Sequence, residues 1–120
     1  MERVSTTRAE SEEVADGVHL APLSTGNRAG MIYWRIEPGA TLPVHAHANE
    51  QLGFVLDGEL TAIAEDEEYE LSAGDAYLFR SDERHGAENR SAEDAVGLGV
   101  LAPPRDEPEW RRQPSAVEDP

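Results

Sequence analysis

His45 and His47 are separated by one residue, Gln51 follows after three more, and His85 stands 34 residues beyond Gln51. Alternation along a strand puts residues two apart on one face, so His45 and His47 can present both imidazoles to the same point. Gln51 shares their parity. Glu50 does not, and it becomes the reserve ligand only if a turn near Ala48 and Asn49 resets the alternation. A later strand of a rolled sheet can bring His85 alongside. The chain has no cysteine, so disulfides, thiolate sites and cysteine nucleophiles are excluded and any metal must be held by nitrogen and oxygen. Three imidazoles and an amide oxygen suit one divalent ion of borderline character (Mn, Fe, Ni, Co or Zn) and leave room for water or substrate. A neutral amide oxygen leaves such an ion its full double charge. The ion is then retained less firmly than beside a carboxylate, and it polarises a bound carboxylate or carbonyl more strongly.

Positioning four such side chains takes strands. Segments of β character run over 18–23, 30–36, 41–47, 51–56, 59–64, 67–71, 75–80, 85–89 and 94–101, separated by turn chemistry such as Glu37-Pro38-Gly39, Asp57-Gly58 and Ser72-Ala73-Gly74-Asp75. Asp57-Gly58, between Phe54-Val55-Leu56 and Leu60-Thr61-Ala62-Ile63, is the strongest hairpin signal, because a type I′ turn needs positive φ at both central residues. Many short strands without a helical stripe predict an all-β sandwich or barrel. Residues 1–17 are polar, acidic and without periodicity, and read as a loose arm. The barrel is expected over 18–102. Residues 103–120 are too rich in proline for a central strand and read as an extended tail, which Trp110 could anchor.

The spacing carries a resemblance. Gly39, five residues, His45-Ala46-His47, three residues, Gln51, six residues, Gly58 resembles the first motif of the cupins, with Gln in place of the usual Glu. Gly74, ten residues, His85, three residues, Asn89 resembles the second, with Arg80 and Asp82 where that family usually has Pro and Gly. The resemblance covers roughly residues 30–101 and implies an antiparallel β-barrel or jelly roll, a metal held by His45, His47, Gln51 and His85, and a homodimer. Within the family, the run from His45 to Leu60, then Gly74-Asp75-Ala76-Tyr77, His85-Gly86 and Pro103-Pro104-Arg105-Asp106-Glu107 are similar to the pectin-degradation cupins. Those proteins ketonise unsaturated uronates, which makes Arg105 the match to an arginine able to clamp a substrate carboxylate bidentately. Their last strand carries an Asp and then an aromatic residue where this chain has Gly99 and Leu101. Glu50, Tyr33 and Tyr77 are then the candidates to move a proton. Trp34, Phe54 and Phe79 read as core or subunit contacts, and His19 lies outside both motifs.

The charge narrows the partners. Twenty-five acidic residues oppose 10 basic ones, all arginine, for a net charge of −15. Such a chain repels phosphate backbones and anionic membranes, so neither nucleic acid nor membrane is expected as a partner, and the lack of lysine fits a salt-accumulating or GC-rich source. No apolar run is long enough to span a bilayer and the N-terminus lacks a signal-type stretch, so a cytoplasmic protein is expected. Three functions remain: a metal-dependent enzyme that enolises or ketonises a small oxygen-rich, uronate-like acid; an Fe- or Mn-dependent dioxygenase; and a non-catalytic binder of a metal or small molecule.

Overall fold

The computed structural model describes residues 1–104. Ten strands follow one another: β1 (Glu12–Ala15), β2 (Val18–Thr25), β3 (Gly30–Ile36), β4 (Thr41–His45), β5 (Glu50–Asp57), β6 (Glu59–Ala64), β7 (Glu67–Ser72), β8 (Ala76–Phe79), β9 (His85–Glu88) and β10 (Ala95–Ala102). All pairings are antiparallel. One sheet has six strands in the order β1-β2-β3-β10-β5-β8, and the other has four in the order β4-β9-β6-β7. No helix occurs among the described residues. The expected all-β antiparallel jelly roll is what the chain forms.

Two local expectations differ from the structure. Glu12–Ala15, inside the segment read as a loose arm, forms β1 and pairs with β2, so the sheet begins before Val18. Two glutamates in a four-residue strand hide the alternation that would reveal it. Asp57-Gly58 is not a hairpin. Its flanking strands belong to different sheets, and only Gly58 has positive φ (83°). The glycine is needed because a Cβ there would lie 2.4 Å from the Asp94 carbonyl oxygen as the chain crosses between sheets. The two-residue hairpin joins β6 to β7 instead, with Glu65 at φ 48° and Asp66 at φ 71°. Two acidic residues adopt the left-handed conformation there at a cost that the flanking ladder overcomes.

Alternation sends one side chain set of the six-stranded sheet inward. Register aligns these in rows: Leu101, Gln51 and Phe79; then Ile32, Gly99, Gly53 and Tyr77; then Leu20, Trp34, Gly97 and Val55. Glycines in the rows make room for rings. A Cβ on Gly53 would sit 2.0 Å from Tyr77, and one on Gly97 would sit 2.2 Å from Trp34. Val18, Trp34, Ile36, Val55, Leu60, Ala87 and Ala95 close the core between the sheets, away from the Gln51 row.

Candidate metal centre

His45 ends β4 and His85 opens β9, and the two are direct cross-strand partners. Opposed residues in an antiparallel pair hold their Cβ atoms about 5 Å apart, which suits two ligands of one ion. His47 lies two residues past the end of β4, on the connection to β5, so the strand parity argument reaches His45 but not His47. Loop contacts take over. The Asp82 amide donates to the His47 carbonyl (2.7 Å) and the Ser81 hydroxyl to the Ala48 carbonyl (2.6 Å), tying that connection to the turn before β9. Asp82 has φ 65°, the conformation that a glycine at this place supplies at no steric cost.

Each imidazole is oriented by its own backbone. Nδ1 of His45, His47 and His85 lies 2.8, 3.1 and 2.8 Å from the carbonyls of Pro43, Asn49 and Glu83. A carbonyl only accepts, so each Nδ1 donates its proton and each Nε2 carries the lone pair, the tautomer that a metal ligand needs. One ring nitrogen from each of the three histidines lies within 4.8 Å of the others, and all three residues are buried. A cation with Zn–N-type bonds would draw these nitrogens to separations of about 3 Å. Gln51 completes the group. Its Oε1 lies 3.2 Å from His47 Nε2, so two acceptors face each other unless a cation, a second ring proton or a turned amide stands between them. The Phe79 ring lies against His85 with centroids 4.2 Å apart and planes at 8°. The donor set and its orientation fit a divalent ion.

The remaining expectations separate. Glu50 is exposed, adjacent to Gln51 and of opposite parity, and lies outside the histidine group. Tyr33 alternates with Trp34 on β3 and pairs with Leu98 and Ala21, on the sheet face turned away from the barrel interior. Tyr77 lines the interior. Burial pushes its hydroxyl up to about 12, opposed in part by the neighbouring Trp34 indole. Arg105, and Trp110 with it, lie outside the described residues.

Two contributors escape sequence reading. Asn49 is buried, gives its carbonyl to His47 Nδ1, and donates its side-chain amide to the Pro103 carbonyl, so it positions the His47 ring while anchoring the chain after β10. Only its place between His47 and Gln51 hinted at this. Glu12 of β1 lines the interior cavity, which a reading of the first 17 residues as a loose arm hides. A second grouping of ligand atoms joins Glu13, His19 and Glu37, each of which already has a hydrogen-bond partner. His19 Nε2 lies 2.6 Å from Glu37, the Gly17 amide donates to Glu13 (2.8 Å), and Arg35 lies 3.8 Å from Glu37. His19 thus ties β2 to the residue after β3, while Glu13 of β1 holds the Gly17 turn.

Below the histidines the barrel holds a cavity of about 100 Å³, reached by His45 and Gln51 at one end and walled by side chains such as Ile32, Leu42, Leu60, Leu71, Phe79 and Leu101.

With this geometry in hand, comparison with known proteins identifies the scaffold. H2HPP isomerase of Bacillus subtilis is 34% identical over 67 residues, a stretch covering 56% of this chain and 28% of that protein. The chain thus spans little more than a quarter of that relative. The structure of KdgF from Halomonas sp. superposes with a TM-score of 0.81 at 22% identity, covering 88% of this chain and 96% of that one. Polyketide cyclase RemF from Streptomyces resistomycificus gives 0.77 at 23% identity, covering 87% and 82%. These likenesses are of fold. The cupin domain family matches residues 32–101, which takes in both histidine motifs and more than half of the sequence, and the chain therefore belongs to the cupin family.

Proposed function

We propose that His45, His47, His85 and Gln51 hold one divalent metal ion and that the chain is an enzyme which enolises or ketonises a small acid bound at that ion. The observation that carries this reading is the convergence of three buried imidazoles, each with Nδ1 committed to a backbone carbonyl. When bound, the ion supplies a Lewis acid that stabilises negative charge developing on a chelated carbonyl. The neutral Gln51 oxygen keeps that ion electron-poor. Phe79 fixes the His85 ring, and the carbonyls fix which nitrogen faces inward. Tyr77, whose hydroxyl stays protonated to about 12, acts as a hydrogen-bond or proton donor and not as a base.

An oxygen-rich, uronate-like acid is the first substrate to try, with Arg105 as its carboxylate clamp, given the resemblance of the motifs to the pectin-degradation cupins; a curated relative bears the name of an isomerase. Gly99, on the inner face where a last-strand carboxylate would face the site, favours a second reading: a binding module without chemistry. The decisive experiment is elemental analysis of protein purified without a histidine tag, followed by turnover of unsaturated galacturonate in wild type and His47→Ala. One metal per chain and turnover lost in the variant are expected; a wild type that neither retains nor rebinds metal would sink the reading.

The outer face of the six-stranded sheet supports a homodimer. Leu52, Phe54, Leu56, Leu78 and Met31 are each more than a third exposed there, and a second copy would cover them. Among the described residues no helix is long and apolar enough to cross a membrane. The net charge of −15 supports our reading of a cytoplasmic protein that binds neither nucleic acid nor lipid.

A further inference from the structure

Beyond β10 the chain stays with the connection that carries His47. The ladder between β10 and β5 pairs Val100 with Leu52, Leu101 with Gln51 and Ala102 with Glu50, so the next residues in step are Pro103 and Asn49. Proline has no N–H to donate, and neither Pro103 nor Pro104 can extend that ladder as a donor. The buried Asn49 takes over, its side-chain amide donating to the Pro103 carbonyl. Its backbone carbonyl meanwhile accepts from His47 Nδ1. One residue therefore holds both an imidazole of the histidine group and the first residue after the last strand.

Strand β3 holds the same segment from the other side. Gly30 pairs with Leu101 and shares the parity of Ile32, so it faces the interior in the row of Leu101, Gln51 and Phe79. A Cβ there would lie 3.1 Å from the Pro104 Cβ, closer than ordinary van der Waals contact. The absent side chain leaves that place to the proline. Pro103 and Pro104 are thus seated at the histidine end of the barrel, between Asn49 and Gly30, and Arg105 is the next residue in sequence.

We infer that Asn49 is a positioning residue for the substrate: by holding Pro103 it delivers the segment that begins at Arg105 to the barrel mouth beside the histidines, where an arginine pairs with a carboxylate of the bound acid. The pairing rests on the Arg105 clamp and the metal reading proposed above; the hold on the segment rests on Asn49 and Gly30 alone. An arginine on a loose segment has to be ordered each time a ligand binds, and that ordering subtracts from affinity, whereas a segment already seated loses less. The group that orients His47 is the Asn49 main-chain carbonyl, so Asn49→Ala keeps it and removes only the side-chain tie.

The test compares metal-loaded wild type, Asn49→Ala, Arg105→Ala and the double variant on unsaturated galacturonate. Asn49→Ala is expected to raise KM at least about fivefold, with kcat, and metal affinity from chelator competition, within about twofold of wild type. Arg105→Ala should raise KM as much or more, and the double variant no further than Arg105→Ala, because the tie acts through that arginine. Gly30→Val, which displaces Pro104 without touching Asn49 or a histidine, should raise KM likewise and decides alone if Asn49→Ala does not fold. Limited trypsin digestion reads the segment without any substrate. Cleavage after Arg105 should be at least about fivefold faster in Asn49→Ala than in wild type, with cleavage after the exposed Arg8 as internal reference. An unchanged KM in Asn49→Ala, an additive double variant, or equal cleavage after Arg105 overturns the inference. A wild type that turns over nothing rejects the enzyme reading instead and leaves the digestion to decide: faster cleavage in Asn49→Ala supports the hold on the segment, and equal cleavage overturns it.

Discussion

His47 Nε2 and Gln51 Oε1 face each other across 3.2 Å, acceptor toward acceptor, once His47 Nδ1 is committed to the Asn49 carbonyl. A carboxylate at position 51 would give the ion a charged ligand at the same place. Gln51→Glu is therefore expected to tighten metal retention by at least about tenfold, about 1.4 kcal/mol, and Gln51→Leu to weaken it. Competition against a chromophoric chelator measures both. Equal affinities in the three proteins would place residue 51 outside the coordination sphere.

Metal binding should also stabilise the fold, because the centre joins β4, β9 and the connection into β5. An ion present at about 100 times its dissociation constant contributes about 2.7 kcal/mol, which for a domain near this size is roughly 10 to 20 °C in Tm. Chelator should remove that increment from wild type and none from His45→Ala. Thermal melts with and without chelator provide the comparison.

The strand skeleton was legible because turn residues and alternating apolar positions recur at short intervals, and the clustering of His45, His47 and His85 was legible because these residues keep a fixed spacing. What escaped is physical. His47 is held by loop hydrogen bonds from Asp82 and Asn49, which no period in the sequence encodes. The Asp57-Gly58 pair carried a hairpin signature, but a glycine demanded by a close approach to Asp94 gives the same letters as one demanded by a tight turn. Strand β1 was hidden because an edge strand needs only one apolar face, here Val14, and its glutamates look like arm residues. Trp34 read as core, and its place beside the Tyr77 hydroxyl could be found only in three dimensions.

Glycines separate by cause. A Cβ at Gly97 would lie 2.2 Å from the Trp34 ring and 2.5 Å from the Phe54 carbonyl oxygen, neither of which can yield. Gly97→Ala should cost about 3 kcal/mol, as other overpacked cores do. Gly39 has φ 81° and no atom within 4 Å of the added carbon. Gly39→Ala should cost only the left-handed penalty of about 1 to 2 kcal/mol. Urea denaturation of both variants tests the ordering, and an equal loss in both would show that backbone strain, not crowding, sets the cost at Gly97.

The outer sheet face gives a prediction about assembly. Val100 pairs with Leu52 and Met31, Leu52 with Leu78, and Leu98 with Phe54, so the exposed apolar side chains form one continuous patch. A charge at its centre should be tolerated by the fold and not by a dimer. Phe54→Glu is expected to sediment as a monomer with an unchanged circular dichroism spectrum, while wild type sediments as a dimer. A monomeric wild type would reject the assembly.

Tyr77 should report on the barrel interior at high pH. Burial raises its hydroxyl to about 12 from an ordinary value of 10, so between these limits the folded chain holds a proton that the unfolded chain has released. Stability is then complete below about pH 10 and falls as pH rises toward 12, by about 3 kcal/mol in all at 1.36 kcal/mol per pH unit. Tyr77→Phe removes the ionisable group and should flatten this alkaline loss, leaving only what the other residues contribute. Denaturation midpoints at about pH 9 and pH 11.5 in both proteins make the comparison. If the two lose stability in parallel, the Tyr77 hydroxyl reaches solvent, and its assignment as a protonated donor in the cavity fails.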